Sequence, residues 1–482
     1  MHDIIIIGAG IVGCATAREL SRYRLDTLVL EAFDDVACGT TKANSAIVHS
    51  GHSTRPGSLM ARYNLRGNQL YAALCAELDI PFRANGHLTL ALSPEELPRL
   101  EQVLSDGRAN GVPGLRLLSR EETLRLEPRL NPALCAALLA PSGAIVCPYE
   151  CAQALAESAA INGVRFEFNA RVTQVRRAAD GTFVVSTADG RTRQARAILN
   201  AAGVHADTIN NQLSAHKLRI RPRAGDYWML DKRLAGSFTH TIFQVPGPLG
   251  KGVLVSPTVD GTLIVGPTAR DIEDGDDTAT TAAGLQAAFE TARRSWPELP
   301  RGAFITTFAG VRAHLESHDF VLGEMPDVPL AFNAAGIESP GLTSAPAIAV
   351  DLAQEMAERL GAVPNASWRP GRPPVRRFRE MSDEERREAI ASDPDFSRVV
   401  CRCELVTEAE IRAAIRRPLG ARSVDAVKRR TRAGMGRCQS GFCLPRTMEI
   451  LAEELHCPLE DITKMGGASR ILTGELPSGR QE

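Results

Sequence analysis

The 482-residue chain is 44% apolar and 23% charged, ordinary for a folded protein and long enough for about three domains. With 56 basic against 57 acidic residues it carries no global field that would draw nucleic acid, and its three Trp and five Tyr supply few stacking platforms. It has no run of about 18 apolar residues and no basic leader at Met1-His2-Asp3, so it reads as cytoplasmic and without a transmembrane segment.

The first forty residues read strand, glycine turn, helix, strand. Asp3 to Ile7 is a continuous apolar run, as a strand buried on both faces requires. Ile11 to Arg22 suits a helix, and Leu28-Val29-Leu30 returns as a strand. Between them Gly8-Ala9-Gly10-Ile11-Val12-Gly13 has the G-x-G-x-x-G form in its proper context. Gly8 allows the tight turn, Gly10 lets a pyrophosphate approach, and Gly13 lets helix and strand pack. The helix N-terminus offers N–H groups and a positive dipole end to phosphate. Glu31, ending the second strand, can accept both ribose hydroxyls and argues against a 2′-phosphate.

From about 80 to 330 helical stretches such as Glu95 to Asn110 alternate with strand signals such as Phe183 to Ser186 and Thr262 to Val265. Asp189-Gly190 and Asp260-Gly261 carry hairpin chemistry. Ile198 to Gly203 is a late strand ending in the small residues Ala201, Ala202 and Gly203, as happens where backbone runs beside a cofactor. Gly336-Ile337-Glu338-Ser339-Pro340-Gly341-Leu342-Thr343 is a second glycine turn before a helix. A nicotinamide fold does not need that second helix N-terminus. A flavin does, because the dipole stabilises negative charge near N1–C2 of the reduced ring. The cofactor is therefore expected to be FAD.

Between Pro364 and Arg379 lie four prolines and five arginines with little apolar content, which reads as an extended linker with solvated arginines. Residues 398–470 then form a compact piece with two short amphipathic helices.

Six of the eleven cysteines (Cys14, Cys38, Cys75, Cys135, Cys147, Cys151) are scattered and read as inert buried thiols. Cys401-x-Cys403 and Cys438-x4-Cys443 form two tight pairs, which point to zinc or a [2Fe–2S] cluster, with inert thiols as the remaining reading. The C-x-C half departs from the usual C-x2-4-C zinc spacing. A cluster also has a reason to accompany a flavin, since the flavin holds two electrons and a cluster passes them on singly. Lys428, Arg429, Arg430 and Arg432 either offset the cluster's charge or form a solvated helix face.

Gly8 to Glu31, Thr40 to His49, Asn200 to Gly203, Gly310-Val311-Arg312 and Gly336 to Thr343 together resemble the FAD-dependent oxidoreductases related to D-amino acid oxidase. Within that group the chain is similar to bacterial glycerol-3-phosphate dehydrogenases and oxidases, with L-2-hydroxyglutarate dehydrogenases nearby. Val400 to Glu404 and Gly434 to Cys438 resemble the bacterioferritin-associated-ferredoxin type of [2Fe–2S] domain.

The resemblance implies an α/β fold: a Rossmann-type FAD-binding domain interleaved with an antiparallel α+β substrate domain, followed by a small α-rich iron–sulfur domain. The expected FAD-binding parts are about 1–80, 145–210 and 325–363, and the substrate parts about 81–144 and 211–324. A linker at 364–397, the cluster domain at 398–470 and a tail at 471–482 complete it. His49 is the expected base, imidazole being suited to about 10²–10⁴-fold of general base catalysis; the alternatives are a packed core histidine or a covalent flavin link. Ser45 is expected near the flavin, and Arg312 and Lys251 on the substrate's anionic group, carboxylate or phosphate. Tyr227 could line the pocket, and His52 has no assigned role. Thr40, Thr41, Ala43, Asn44, Arg171 and Val172 complete the cofactor set. An electron-acceptor protein or a quinone-linked membrane subunit is the expected partner, which makes attachment to the inner face of the membrane the alternative to a free cytoplasmic chain. The rival readings are a 2-hydroxy acid or amine acid substrate, and an electron-relay subunit that oxidises nothing itself.

Overall fold

The computed structural model describes residues 1–247 and 252–474. Two compact units result: Met1–Leu30, Val36–Glu167 and Arg171–Arg372 in the first, and Glu31–Asp35, Phe168–Ala170 and the described residues from Pro373 onward in the second.

The first unit is built on two large sheets. In the eight-stranded sheet the strand His2–Ile7 lies between Thr27–Leu30 and Thr192–Asn200, parallel to both. Ile4, Ile5 and Ile6 are fully buried, the reason the sequence there is a continuous apolar run rather than an alternation. Val328–Ala335 adds in parallel to the far side of Thr192–Asn200. Its end leads through the second glycine turn into the helix Gly341–Leu360. Both parallel strands therefore deliver a glycine turn and a helix N-terminus at their carboxyl ends, where ligands bind in open α/β sheets.

The nine-stranded sheet is mostly antiparallel and draws on 87–140 and 220–315. Its longest pairing runs from Ile220↔Leu315 to Leu230↔Phe304, placing Arg312 opposite Arg223 and Phe308 opposite Tyr227. Leu88, Leu90, Leu230, Ile242, Val265 and Trp296 form the core beneath it. The expected turns at Gly190 and Gly261 have φ of +81° and +86°.

The linker expected at 364–397 is instead folded. Residues up to Arg372 belong to the first unit, and those after it to the second. The Trp368 ring lies 3.8 Å from the Arg22 guanidinium, and its indole N–H donates to Ser21 Oγ at 3.0 Å. Buried Arg18 donates to the Pro370 carbonyl at 3.0 Å, and Arg372 pairs with Glu157 at 2.9 Å, both side chains under 5% exposed. In the second unit a Ser382/Glu385 capping box opens the helix Asp383–Ser392, and Phe378, Ala389, Phe396 and Ala409 pack together. Cation–π contacts and ion pairs hold 364–372, so the segment carries no hydrophobic period to read.

The part of the second unit that carries the four late cysteines has three helices, Glu408–Arg416, Val424–Thr431 and Leu444–Leu455, rather than the two expected. Ile411, Ile415, Val427, Ile450 and Leu451 are its core. The basic stretch after Val427 is not a solvated face. Asp35 accepts from Arg429 (2.9 Å) and Arg430 (2.6 and 2.7 Å), and Arg432 bonds Glu404 at 2.8 Å, all of these side chains being buried.

Candidate active site and cluster centre

Gly8 has φ +103°, and a Cβ there would stand 2.5 Å from the Ala201 carbonyl oxygen. A Cβ on Gly13 would run into the Gly8 carbonyl. The helix opening at Ile11 has no side-chain cap on Gly10 and no acidic residue in its first turn. Thr41 Oγ1 accepts from the Ile11 N–H at 3.0 Å. A helix N-terminus without acidic residues, behind a backbone too close for side chains, can hold a pyrophosphate. Ala201, Ala202 and Gly203 follow on the neighbouring strand, with the Ala201 N–H on the Ile7 carbonyl at 3.0 Å. Glu31, in the second unit, is buried, and its carboxylate accepts from the Phe33 N–H at 3.0 Å. Arg171 is half exposed, 3.6 Å from Asp276, and Val172 opens the strand Val172–Arg177.

Replacing Gly13 with Ala is expected to yield protein with substoichiometric FAD, since overpacking at this contact costs about 1–3 kcal/mol. The ratio of flavin to protein absorbance after purification checks it.

The loop after Gly39 carries the second half of the site. Thr40 Oγ1 donates to the Val311 carbonyl at 2.6 Å, and Gly310 leaves no room for a Cβ against the Ala43 carbonyl. These contacts lock the strand Phe304–Leu315, and with it Arg312, to the loop bearing Ser45. Asn44 braces the loop, its Nδ2 donating to the Thr41 carbonyl (2.8 Å) while its Oδ1 accepts from the Ala46 N–H (2.8 Å). Ser45 Oγ meets the Tyr227 hydroxyl at 3.0 Å, and Tyr227 stacks on its cross-strand partner Phe308 with centroids 4.6 Å apart. Burial pushes the Tyr227 hydroxyl above its ordinary pKa, while the nearby Arg312 charge pulls it down. The Arg312 guanidinium is half-buried and spends one nitrogen on the Thr268 carbonyl at 2.6 Å.

His49 meets the second glycine turn. Its N–H donates to Thr343 Oγ1 at 2.9 Å, and its Nε2 lies 3.4 Å from Ser339 Oγ. Gly336 has φ +66°, and a Cβ on Gly341 would stand 2.5 Å from Ile337. The helix opening at Gly341 has neither a side-chain cap nor an acidic first turn. The Leu342 carbonyl accepts from the Tyr71 hydroxyl at 2.6 Å. Two helix N-termini without acidic residues, one for the pyrophosphate and one for the flavin ring, fit FAD. Ser339 is absent from the sequence-derived set. Only its place inside the glycine turn could have pointed to it.

His52 is buried with Nδ1 on Ser50 Oγ (2.5 Å) and Nε2 on Thr89 Oγ1 (3.2 Å), so both ring nitrogens serve the packing. Lys251 lies outside the described residues.

In the second unit the four late thiols converge. Cys403 Sγ lies 3.6 Å from Cys438 Sγ, and the bond from the Cys443 thiol holds Cys401 below its ordinary pKa while Cys443 is raised. Gly436 packs so tightly on Cys403 that a Cβ would collide with it. Two thiol pairs on short loops, Cys403 with Cys438 and Cys401 with Cys443, fit a tetrathiolate centre. Of the six scattered thiols, Cys14, Cys38, Cys75, Cys147 and Cys151 are buried as expected, whereas Cys135 is only half-buried. Burial pushes Cys75 and Cys147 up, and Cys151 up to about 12, as inert thiols require.

Comparison with known proteins agrees with both centres. Residues 399–453 match the BFD-like [2Fe-2S] binding domain. A glycerol 3-phosphate dehydrogenase of Caloramator mitchellensis is 44% identical over 481 residues, 99% of each chain. A glycerol 3-phosphate oxidase of Mycoplasma pneumoniae is 32% identical over 76% of this chain and 97% of its own. The solved structure of the L-alpha-glycerophosphate oxidase from that organism, with FAD bound, superposes with a TM-score of 0.73 over 77% of this chain and 99% of its own, at 32% identity. Residues 3–355 match the FAD dependent oxidoreductase family, to which this chain belongs.

Proposed function

We propose that the chain oxidises sn-glycerol 3-phosphate to dihydroxyacetone phosphate and works as a dehydrogenase rather than an oxidase. One observation carries this reading. The Caloramator dehydrogenase matches 99% of this chain, whereas the Mycoplasma oxidase spends 97% of its length on 76% of it. That leaves the oxidase no length for a cluster module like the one here.

When bound, the flavin accepts the alcohol's two electrons at N5 and the [2Fe–2S] cluster passes them on singly. His49, through Nε2, takes the C2 hydroxyl proton, and Ser339 Oγ at 3.4 Å orients the ring. The Arg312 fork holds the phosphate, with the Thr268 carbonyl fixing its far nitrogen, and Lys251 adds a second cation. Tyr227 and Ser45 close the pocket wall. Gly8 to Gly13, Glu31, Thr40, Thr41, Ala43, Asn44, Arg171, Val172, Ala201 to Gly203, Gly336, Ile337 and Gly341 to Thr343 hold FAD. Cys401, Cys403, Cys438 and Cys443 hold the cluster. The electrons go to an acceptor protein or a quinone-linked membrane subunit, and the chain works in the cytoplasm or at the inner membrane face. No described helix is long and apolar enough to cross a membrane.

The test is an anaerobic titration of the holoenzyme with sn-glycerol 3-phosphate. Rapid loss of flavin absorption is expected. No bleaching in protein that dithionite reduces would reject this substrate, and a response to a 2-hydroxy acid instead would move the assignment to that class. Arg312→Lys keeps the charge but loses the fork. It is expected to raise KM by about 10–100-fold with a smaller change in kcat, the worth of a hydrogen bond to a charged group. Steady-state rates with a small artificial acceptor check it.

A further inference from the structure

Near the end of the strand Phe304–Leu315 a group of metal-ligating side chains is used by nothing described above. His314 is buried, and its Nδ1 lies 2.8 Å from Glu338 Oε1 in the second glycine turn. His318, exposed in the turn that follows the strand, presents its ring edge-on to His314 with centroids 4.7 Å apart. One ligand atom from each of the three lies within 4.8 Å of the others. Arg223, within reach of the Glu338 charge, is committed to Asp271 at 2.5 Å.

We propose that His314, His318 and Glu338 form an open three-ligand site for a divalent transition-metal ion, zinc fitting best. Two imidazole nitrogens and one carboxylate oxygen are a donor set zinc takes readily, with water in the fourth position. A tetrahedron with metal–ligand bonds of about 2.1 Å has edges of about 3.4 Å. The separations here, from 2.8 Å to at most 4.8 Å, bracket that edge. Rotation of the exposed His318 side chain closes the set, while buried His314 and the shielded Glu338, 5% and 14% exposed, are already in place. Glu338 precedes Ser339, whose hydroxyl lies 3.4 Å from His49 Nε2. A metal that draws the Glu338 carboxylate restrains this turn and slows substrate oxidation. This last step rests on the proposed role of His49, and metal binding itself does not.

The experiment uses the holoenzyme with FAD and cluster in place, so that the four cluster cysteines are occupied, and zinc alone as the probe. Competition with a chromophoric chelator is expected to give about one zinc per chain without loss of the visible cluster spectrum. His318→Ala is expected to weaken zinc binding by about tenfold or more while keeping the parent's activity without zinc. Glu338→Gln, which keeps the side chain's size and loses its charge, is expected to weaken it as well. Zinc bound equally by both variants and the parent would overturn the site. Zinc bound by the parent with no change in the rate of anaerobic flavin bleaching would overturn the link to His49. The chelator readings stand even if sn-glycerol 3-phosphate reduces no flavin, so failure of the substrate assignment is seen separately.

Discussion

Replacement of His49 by glutamine is expected to slow reduction of the flavin by sn-glycerol 3-phosphate by about 10²–10⁴-fold, the range for loss of a positioned general base. Glutamine can keep a polar contact to Ser339 Oγ but takes up no proton at neutral pH. The backbone bond from residue 49 to Thr343 is independent of the side chain, so the loop and FAD content should hold. Stopped-flow absorption under anaerobic conditions separates the reductive step from everything after it. An unchanged rate would remove His49 from chemistry and leave it a packing residue beside Phe243 and His87.

Conversion of Cys438 to serine is expected to act on the opposite half of the cycle. The thiol sits 3.6 Å from Cys403 and is one of the four ligands proposed above, so its loss should remove the cluster. Flavin bleaching by substrate should persist, while turnover with a one-electron protein acceptor falls to background. Iron and acid-labile sulfide, expected in equal amounts in the parent and absent from the variant, check the cause. Zinc in place of iron in the parent would exclude an electron exit here. Turnover that survives loss of the cluster would show that electrons leave directly from the flavin.

Where the sequence was readable, the chemistry had left little choice of residue. Gly8 needs a positive φ and Gly13 a missing Cβ, so both stand out in the chain. The four cysteines of the cluster centre have no interchangeable substitutes, and two tight pairs are visible without any structure. Legibility stopped where partners are distant in sequence and ordinary in type. Tyr227 finds Ser45, and Ser339 finds His49, across large loops with no local pattern to announce either contact. The arginines after Pro364 and after Val427 look solvated in one dimension because nothing local distinguishes a buried ion pair from an exposed charge. Arg372, Arg429 and Arg430 turn out buried against Glu157 and Asp35 only because the fold brings a carboxylate to each.

The packed stretch from Asn365 to Arg372 bears on where the flavin-bearing half can be cut free. The family match ends at residue 355, which invites truncation at about that point. A chain ended there would lose the indole covering Arg22, the Pro370 carbonyl that accepts from buried Arg18, and the Arg372 guanidinium that pairs with buried Glu157. Such a truncation should be insoluble or short-lived. Any excised flavin-bearing piece therefore needs the chain at least to Arg372, seventeen residues past the end of the family match.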